Sequence, residues 1–120
     1  MERELVALGR VAHVVSRGRV SGEARSVALG YIDEPDGSVL VAANGPEQDW
    51  AQNLLADPDV SVEIGERRFD AVAEPLDRAD HGRAVRGLIL RYGTPSEGLG
   101  RGPSFRLRPT SRAGSPGSAT

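Results

Sequence analysis

Cysteine is absent from this chain, which excludes disulfides, thiolate nucleophiles and thiolate-bound metals. Lysine is absent as well. All 15 basic residues are arginine, a bias that fits a GC-rich genome, so arginine carries meaning here only where it clusters. Aromatic residues make up 4% of the sequence, and a core must therefore be built from Val, Leu, Ile and Ala. No apolar run approaches the ~18 residues of a membrane span. No charged-then-apolar signal segment opens the sequence, so a soluble, cytoplasmic protein without a membrane span is expected. The net charge of −2 provides no global basic field of the kind nonspecific nucleic-acid binding needs. No nucleic-acid partner is expected, and any anion site has to be local. The 120 residues suit a single domain: residues 1–108 are expected to fold, and 109–120 ("PTSRAGSPGSAT") to form a disordered tail.

What is present reads mostly as strands. Leu5 to Val15 is apolar and valine-rich and predicts a first strand. Ser16 to Gly22 predicts a turn, Ser26 to Ile32 a second strand, and "DEPDG" at Asp33 to Gly37 another turn. Ser38 to Ala43, with Val39, Leu40 and Val41 in a row, predicts a third strand buried on both faces. A helix is predicted from Pro46, which fits a first helical position, with Trp50, Leu54 and Leu55 sharing a face and Asp57-Pro58 ending it. Val60 to Gly65 alternates strictly, and after the Gly65-Glu66 turn a further strand runs to Pro75. A second helix starts at Asp77, followed by a glycine-rich loop from Gly93 to Pro103. Ser104 to Arg108 predicts a short edge strand with Phe105 and Leu107 inward. The sum is a mainly β, α+β fold: a small antiparallel barrel of about six strands with two helices.

Two stretches invite a chemical reading. The first turn gathers Arg17, Arg19, Ser21, Gly22 and Arg25, although a hairpin needs glycine and no arginines. Its guanidiniums and hydroxyl suit phosphate or carboxylate, or else they simply keep a solvated hairpin soluble. Ala42, Ala43, Asn44 and Gly45 place small residues at a strand end ahead of a helix. A flat ring or an anion could touch the backbone there, or Asn44 is an ordinary helix cap. Trp50 reads equally as a core anchor. His13 and His81 have no metal-ligand spacing, so no metal is expected. No serine sits in a GxSxG elbow. Without a base, nucleophile or metal, hydrolytic chemistry is unsupported, whereas a cofactor-borne reaction stays open.

Together, "GRxSGxxR" and "DWxxNLxADPxVxVxxGxRxF" resemble the deazaflavin-dependent nitroreductase family, split-barrel reductases related to pyridoxamine-phosphate-oxidase-like proteins. The matching residues are Gly18, Arg19, Ser21, Gly22 and Arg25, then Asp49, Trp50, Asn53, Leu54, Ala56, Asp57, Pro58, Val60, Val62, Gly65, Arg67 and Phe69. They cover roughly Val11 to Pro75. The resemblance implies a split β-barrel that binds coenzyme F420, with Arg17, Arg19, Ser21, Gly22 and Arg25 on its phosphate and tail. It puts Ala42 to Gly45 against the ribityl chain and ring, with Trp50 and Asn53 alongside. It also implies hydride transfer to a small-molecule acceptor (a quinone, activated alkene or nitroaromatic), and related barrels pair as homodimers. An FMN-binding reductase and a non-catalytic coenzyme holder are the alternatives. No catalytic residue is assigned, and Tyr92 is offered as a substrate-pocket residue. This chain departs from the family at Val20, where many members carry Lys or Arg, and at Ala24, where proline is common. Because it starts almost at the predicted first strand, it is expected to lack the N-terminal helix that longer members fold over their pocket.

Overall fold

The computed structural model describes residues 2–45, 47–93 and 101–110. Among the described residues, three helices and seven strands follow one another: α1 (Glu2–Ala7), β1 (Ala12–Arg17), β2 (Ala24–Leu29), β3 (Ile32–Asp33), β4 (Val39–Ala42), α2 (Asp49–Ala56), β5 (Asp59–Ile64), β6 (Arg67–Pro75), α3 (Arg78–Tyr92) and β7 (Ser104–Pro109). All strands join one antiparallel sheet in the order β2-β1-β5-β6-β7-β4-β3. The two edge strands, β2 and β3, are consecutive in sequence, separated only by Gly30 and Tyr31. A sheet whose edges are tied so closely must curl until they approach, which produces a barrel that is split, with no ladder between β2 and β3.

The β5–β6 hairpin shows how local sequence sets this curl. Val60, Val62 and Ile64 are buried while Ser61 is exposed, so the alternation read from sequence is the pleat itself. Gly65 turns the chain at φ +59°, a conformation that side chains with a Cβ adopt at a cost. The inward residues meet Val14 of β1, Phe105 and Leu107 of β7, and Ala51 and Leu54 of α2 in one core. β4 is buried at Val39, Leu40 and Val41, as expected of a strand covered on both faces.

Several expectations are corrected. Leu5 to Ala7 is helical, not strand, because "ERELVA" is rich in helix formers and the β-branched run begins only at Val11. Val6 of α1 is fully buried, and its carbonyl accepts from Gly65 N at 2.7 Å, which ties the helix to the β5–β6 turn. A helix therefore does precede the first strand. Ser104–Pro109 lies between β6 and β4 rather than at an edge, with Val41 opposite Phe105 and Ala73 opposite Leu107. The strand also runs on to Pro109, and Thr110 N reaches Asp70 O at 3.0 Å, so the folded unit extends past residue 108. Helix α2 begins at Asp49 with Gln48 as its cap residue, not Asn44. Pro46, most of the Gly93–Pro103 loop and tail residues 111–120 lie outside the described residues. Leu55 is 49% exposed, so only Leu54 of that pair faces the core.

Candidate functional site

The turn between β1 and β2 is closed by its own backbone: Gly18 N donates to Glu23 O and Gly22 N to Gly18 O, both at 2.8 Å. Ser21 Oγ accepts from Glu23 N at 3.1 Å. That folded turn faces the first turn of α2, where Trp50 Nε1 donates to Gln48 Oε1 at 3.0 Å and the Trp50 ring stands 6.0 Å from Phe105. The two walls enclose a cleft of about 580 Å³.

Arg19 crosses from one wall to the other. Its Nη1 donates to Asn53 Oδ1 at 2.7 Å, and its backbone N donates to the same oxygen at 3.1 Å. Arg19 Nη2 also stands 3.4 Å from Asp49 Oδ1. Arg25 behaves differently. Its Nη2 lies 3.5 Å from Ser21 Oγ, and its side chain folds across buried Gly18. Val20, 92% exposed at the tip of the turn, joins Val27 and Trp50 as the apolar part of the lining. An anion and a flat apolar ring could share such a space, the first against Arg25 and Ser21, the second against Trp50, Val27 and Val20.

Of the residues singled out by sequence, the cleft gathers Arg19, Ser21, Arg25, Trp50 and Asn53. Gly22 closes the turn without lining the cleft. Arg17 turns away to donate to Gly22 O at 3.0 Å and pair with Asp57 at 3.7 Å. Ala42 to Gly45 does not line the cleft either. Ala43 and Gly45 are buried, Ala43 N donates to Pro103 O at 2.9 Å, and a Cβ on Gly102 would collide with the Gly45 carbonyl. This strand end is packed under the segment leading into β7. Tyr92, expected near a substrate pocket, is instead a brace: its hydroxyl donates to Arg10 O at 2.7 Å and accepts from Tyr31 N at 3.1 Å. Arg91 stacks 4.5 Å above the Tyr31 ring in the same corner.

Of the cleft's lining, sequence reasoning missed Ser16, Ser26, Val27 and Gln48. Val27 was within reach, since it lies two residues beyond Arg25 on one strand and so shares its face. Gln48 gave no signal of its own. Among the described residues no group of three or more His, Cys, Asp or Glu side chains is arranged to hold a metal ion. No helix among them is long and apolar enough to cross a membrane. The displaced carboxyl pKa values lie outside the cleft. Glu34 is held below its ordinary value by hydrogen bonds from Arg83, Glu63 by Arg3, and Glu74 by Arg108.

The split, seven-stranded antiparallel barrel is a fold shared with solved proteins. A solved structure described as an F420-H2 dependent reductase superimposes with a TM-score of 0.67 at 22% identity, covering 82% of this chain and 94% of that one. Another, described as a domain-swapped dimer, gives 0.69 at 22% identity over 82% and 80%. The sequence model for F420H(2)-dependent quinone reductase matches residues 7–93. The chain belongs to that family. An F420H(2)-dependent quinone reductase of Mycobacterium tuberculosis is 28% identical over an alignment of 85 positions that covers 60% of this chain and 57% of that protein. The chain thus spans little more than half the length of the curated relatives it matches.

Proposed function

We propose that this protein is an F420-dependent oxidoreductase that reduces a quinone-type acceptor, with its coenzyme held in the cleft between the β1–β2 turn and α2. The observation that carries the reading is the pairing of an arginine turn with an apolar, tryptophan-bearing wall in a protein of this family. The residues fit the coenzyme's chemistry. The cleft's volume of about 580 Å³ falls in the usual range for small-molecule sites. Arg25 and Ser21 offer charge and a hydroxyl to a phosphate, and Trp50, Val27 and Val20 offer apolar surface to a ring. Reduced F420, when bound, supplies the hydride. The chain's task is then to bind, orient and exclude water. Trp50 is held to one rotamer by Gln48 and Phe105, and so gives a fixed wall for a planar group. Gly18 is buried beneath Arg25, which lets that side chain lie along the turn while it stays open to solvent and ligand.

No side chain in the cleft is needed as a catalytic acid, because water can protonate a reduced quinone. A homodimer forms part of this proposal, supported by the likeness to a structure described as a domain-swapped dimer. A cytoplasmic setting also belongs to it, as a soluble coenzyme would be supplied there. The experiment is a titration of F420 followed by fluorescence anisotropy, then oxidation of reduced F420 with a quinone panel. Binding at micromolar concentration with quinone-dependent oxidation supports the reading, and unchanged anisotropy removes it. Both coenzymes are yellow when oxidised, so any chromophore carried through purification is identified after release, and FMN there would favour the flavin instead.

A further inference from the structure

We infer that Arg19 is a positioning residue, which sets the distance between the two walls of the cleft, and that the charge meeting a bound anion belongs to Arg25. This rests on the coenzyme reading above. Two donors of Arg19, Nη1 and the backbone N, converge on one acceptor, Asn53 Oδ1, at 2.7 and 3.1 Å. Asn53 is 6% exposed and belongs to α2, whose Ala51 and Leu54 are buried in the core. The acceptor is therefore rigidly placed. The same guanidinium reaches Asp49 O and Asp49 Oδ1, each at 3.4 Å, so a carboxylate already offsets its charge.

Because Gly18 N to Glu23 O and Gly22 N to Gly18 O close the turn on itself, fixing Arg19 fixes the turn as a unit. Ser21 is then carried to its place by a bond it does not make, whereas Arg25 is held independently by the β1–β2 ladder, opposite Ser16. Arg25 has the Ser21 hydroxyl as its side-chain partner at 3.5 Å, and among the described residues no carboxylate lies within ion-pair distance of it. A dianionic group would gain more from that cation than from one already paired.

The test uses the whole chain with the variants Arg19→Gln, Arg19→Lys, Asn53→Ala, Asn53→Ser and Arg25→Gln, and has two readouts. The first is amide hydrogen exchange without coenzyme. Asn53→Ala and the milder Asn53→Ser should speed exchange of the Arg19 amide by about tenfold or more, as expected when a protecting hydrogen bond is lost, whereas Arg25→Gln should not. The second is F420 affinity in a double-mutant cycle. Arg19→Gln and Asn53→Ala should each weaken binding about tenfold, and the double variant should be no weaker than either. Arg25→Gln should multiply with Asn53→Ala instead. Arg19→Lys, which keeps the charge but loses the fork, should stay as weak as Arg19→Gln.

Multiplying effects of Arg19→Gln and Asn53→Ala, or full affinity in Arg19→Lys, would make Arg19 a direct ligand contact and overturn the inference. An Arg19 amide that exchanges equally fast in both Asn53 variants and the parent would overturn it too. If the parent protein binds no F420, the coenzyme reading falls, while hydrogen exchange still decides whether the brace exists.

Discussion

At the β3–β4 turn, Arg83 meets Glu34 through two hydrogen bonds of 2.8 and 2.9 Å, and Arg106 stands 3.6 Å from the same carboxylate. At the β1–β2 turn, Arg25 meets a serine hydroxyl at 3.5 Å and no carboxylate among the described residues. Both regions are rich in arginine, and in both a turn is tied to a helix. In the first the charges cancel: Glu34 is 10% exposed and tethers α3 to the sheet. In the second, Arg19 ties the turn to α2, and Arg25 faces the cleft with no carboxylate among the described residues beside it. Clustering of arginine therefore does not mark a site. What distinguishes the β1–β2 turn is that its unpaired cation, Arg25, lines a cleft beside the apolar surface of Trp50, Val27 and Val20.

The largest effect should come from breaking what both regions stand on. Phe105 is fully buried, touches Trp50 at the cleft and belongs to β7, which pairs with β4 and β6. Phe105→Ala should cost about 3–5 kcal/mol by the usual penalty of a buried aromatic truncation, measured by denaturant unfolding, and should abolish both tether and cleft.

The next prediction separates the regions. Arg25→Gln should weaken F420 binding by about 1.5–3 kcal/mol, the range for a hydrogen bond to a charged group, with no change in melting temperature. A smaller effect on the other side mirrors it: Glu34→Gln should destabilise folding by about 1–2 kcal/mol, discounted because Arg83 is 47% exposed, and leave F420 affinity unchanged.

Hydrogen bonds from Arg83, outweighing burial, hold the Glu34 carboxyl below its ordinary 4.5. The unfolded chain therefore binds that proton first on acidification. The stabilisation is fully present above pH 4.5 and is lost as pH falls through the lower folded value. Stability measured between neutral pH and pH 3 should fall less steeply in Glu34→Gln than in the parent. The smallest effect should come from Tyr92→Phe, which removes the bond to Arg10 O and should cost about 1 kcal/mol. Quinone-dependent oxidation should be untouched, since Tyr92 braces α3 away from the cleft lining.

Much of the barrel was legible because its signals are local. Strict alternation from Val60 to Ile64 is a pleat, and Asp77 caps α3 by accepting from Asp80 N at 2.8 Å. Arg19, Ser21, Arg25, Trp50 and Asn53 were legible as a group through the family's motif, and the structure brings them to one cleft. What escaped is set by contacts distant in sequence. Ser104–Pro109 alternates as an edge strand would, and only its two partners, β4 and β6, make it central. Ala42 to Gly45 looks open in sequence, and Gly102–Pro103 covers it from nearly sixty residues away. The separate roles of Arg17, Arg19 and Arg25 could not be read from spacing. They depend on where Asp49 and Asn53 of α2, and Asp57 just past its end, fall some thirty to forty residues later.

The most direct measurement is the anisotropy of F420 titrated with the parent protein and with Arg25→Gln under identical conditions. Micromolar binding by the parent, weakened at least tenfold in the variant at equal melting temperature, is the expected result. Equal binding by both would place the coenzyme's anionic end outside this cleft and contradict the account.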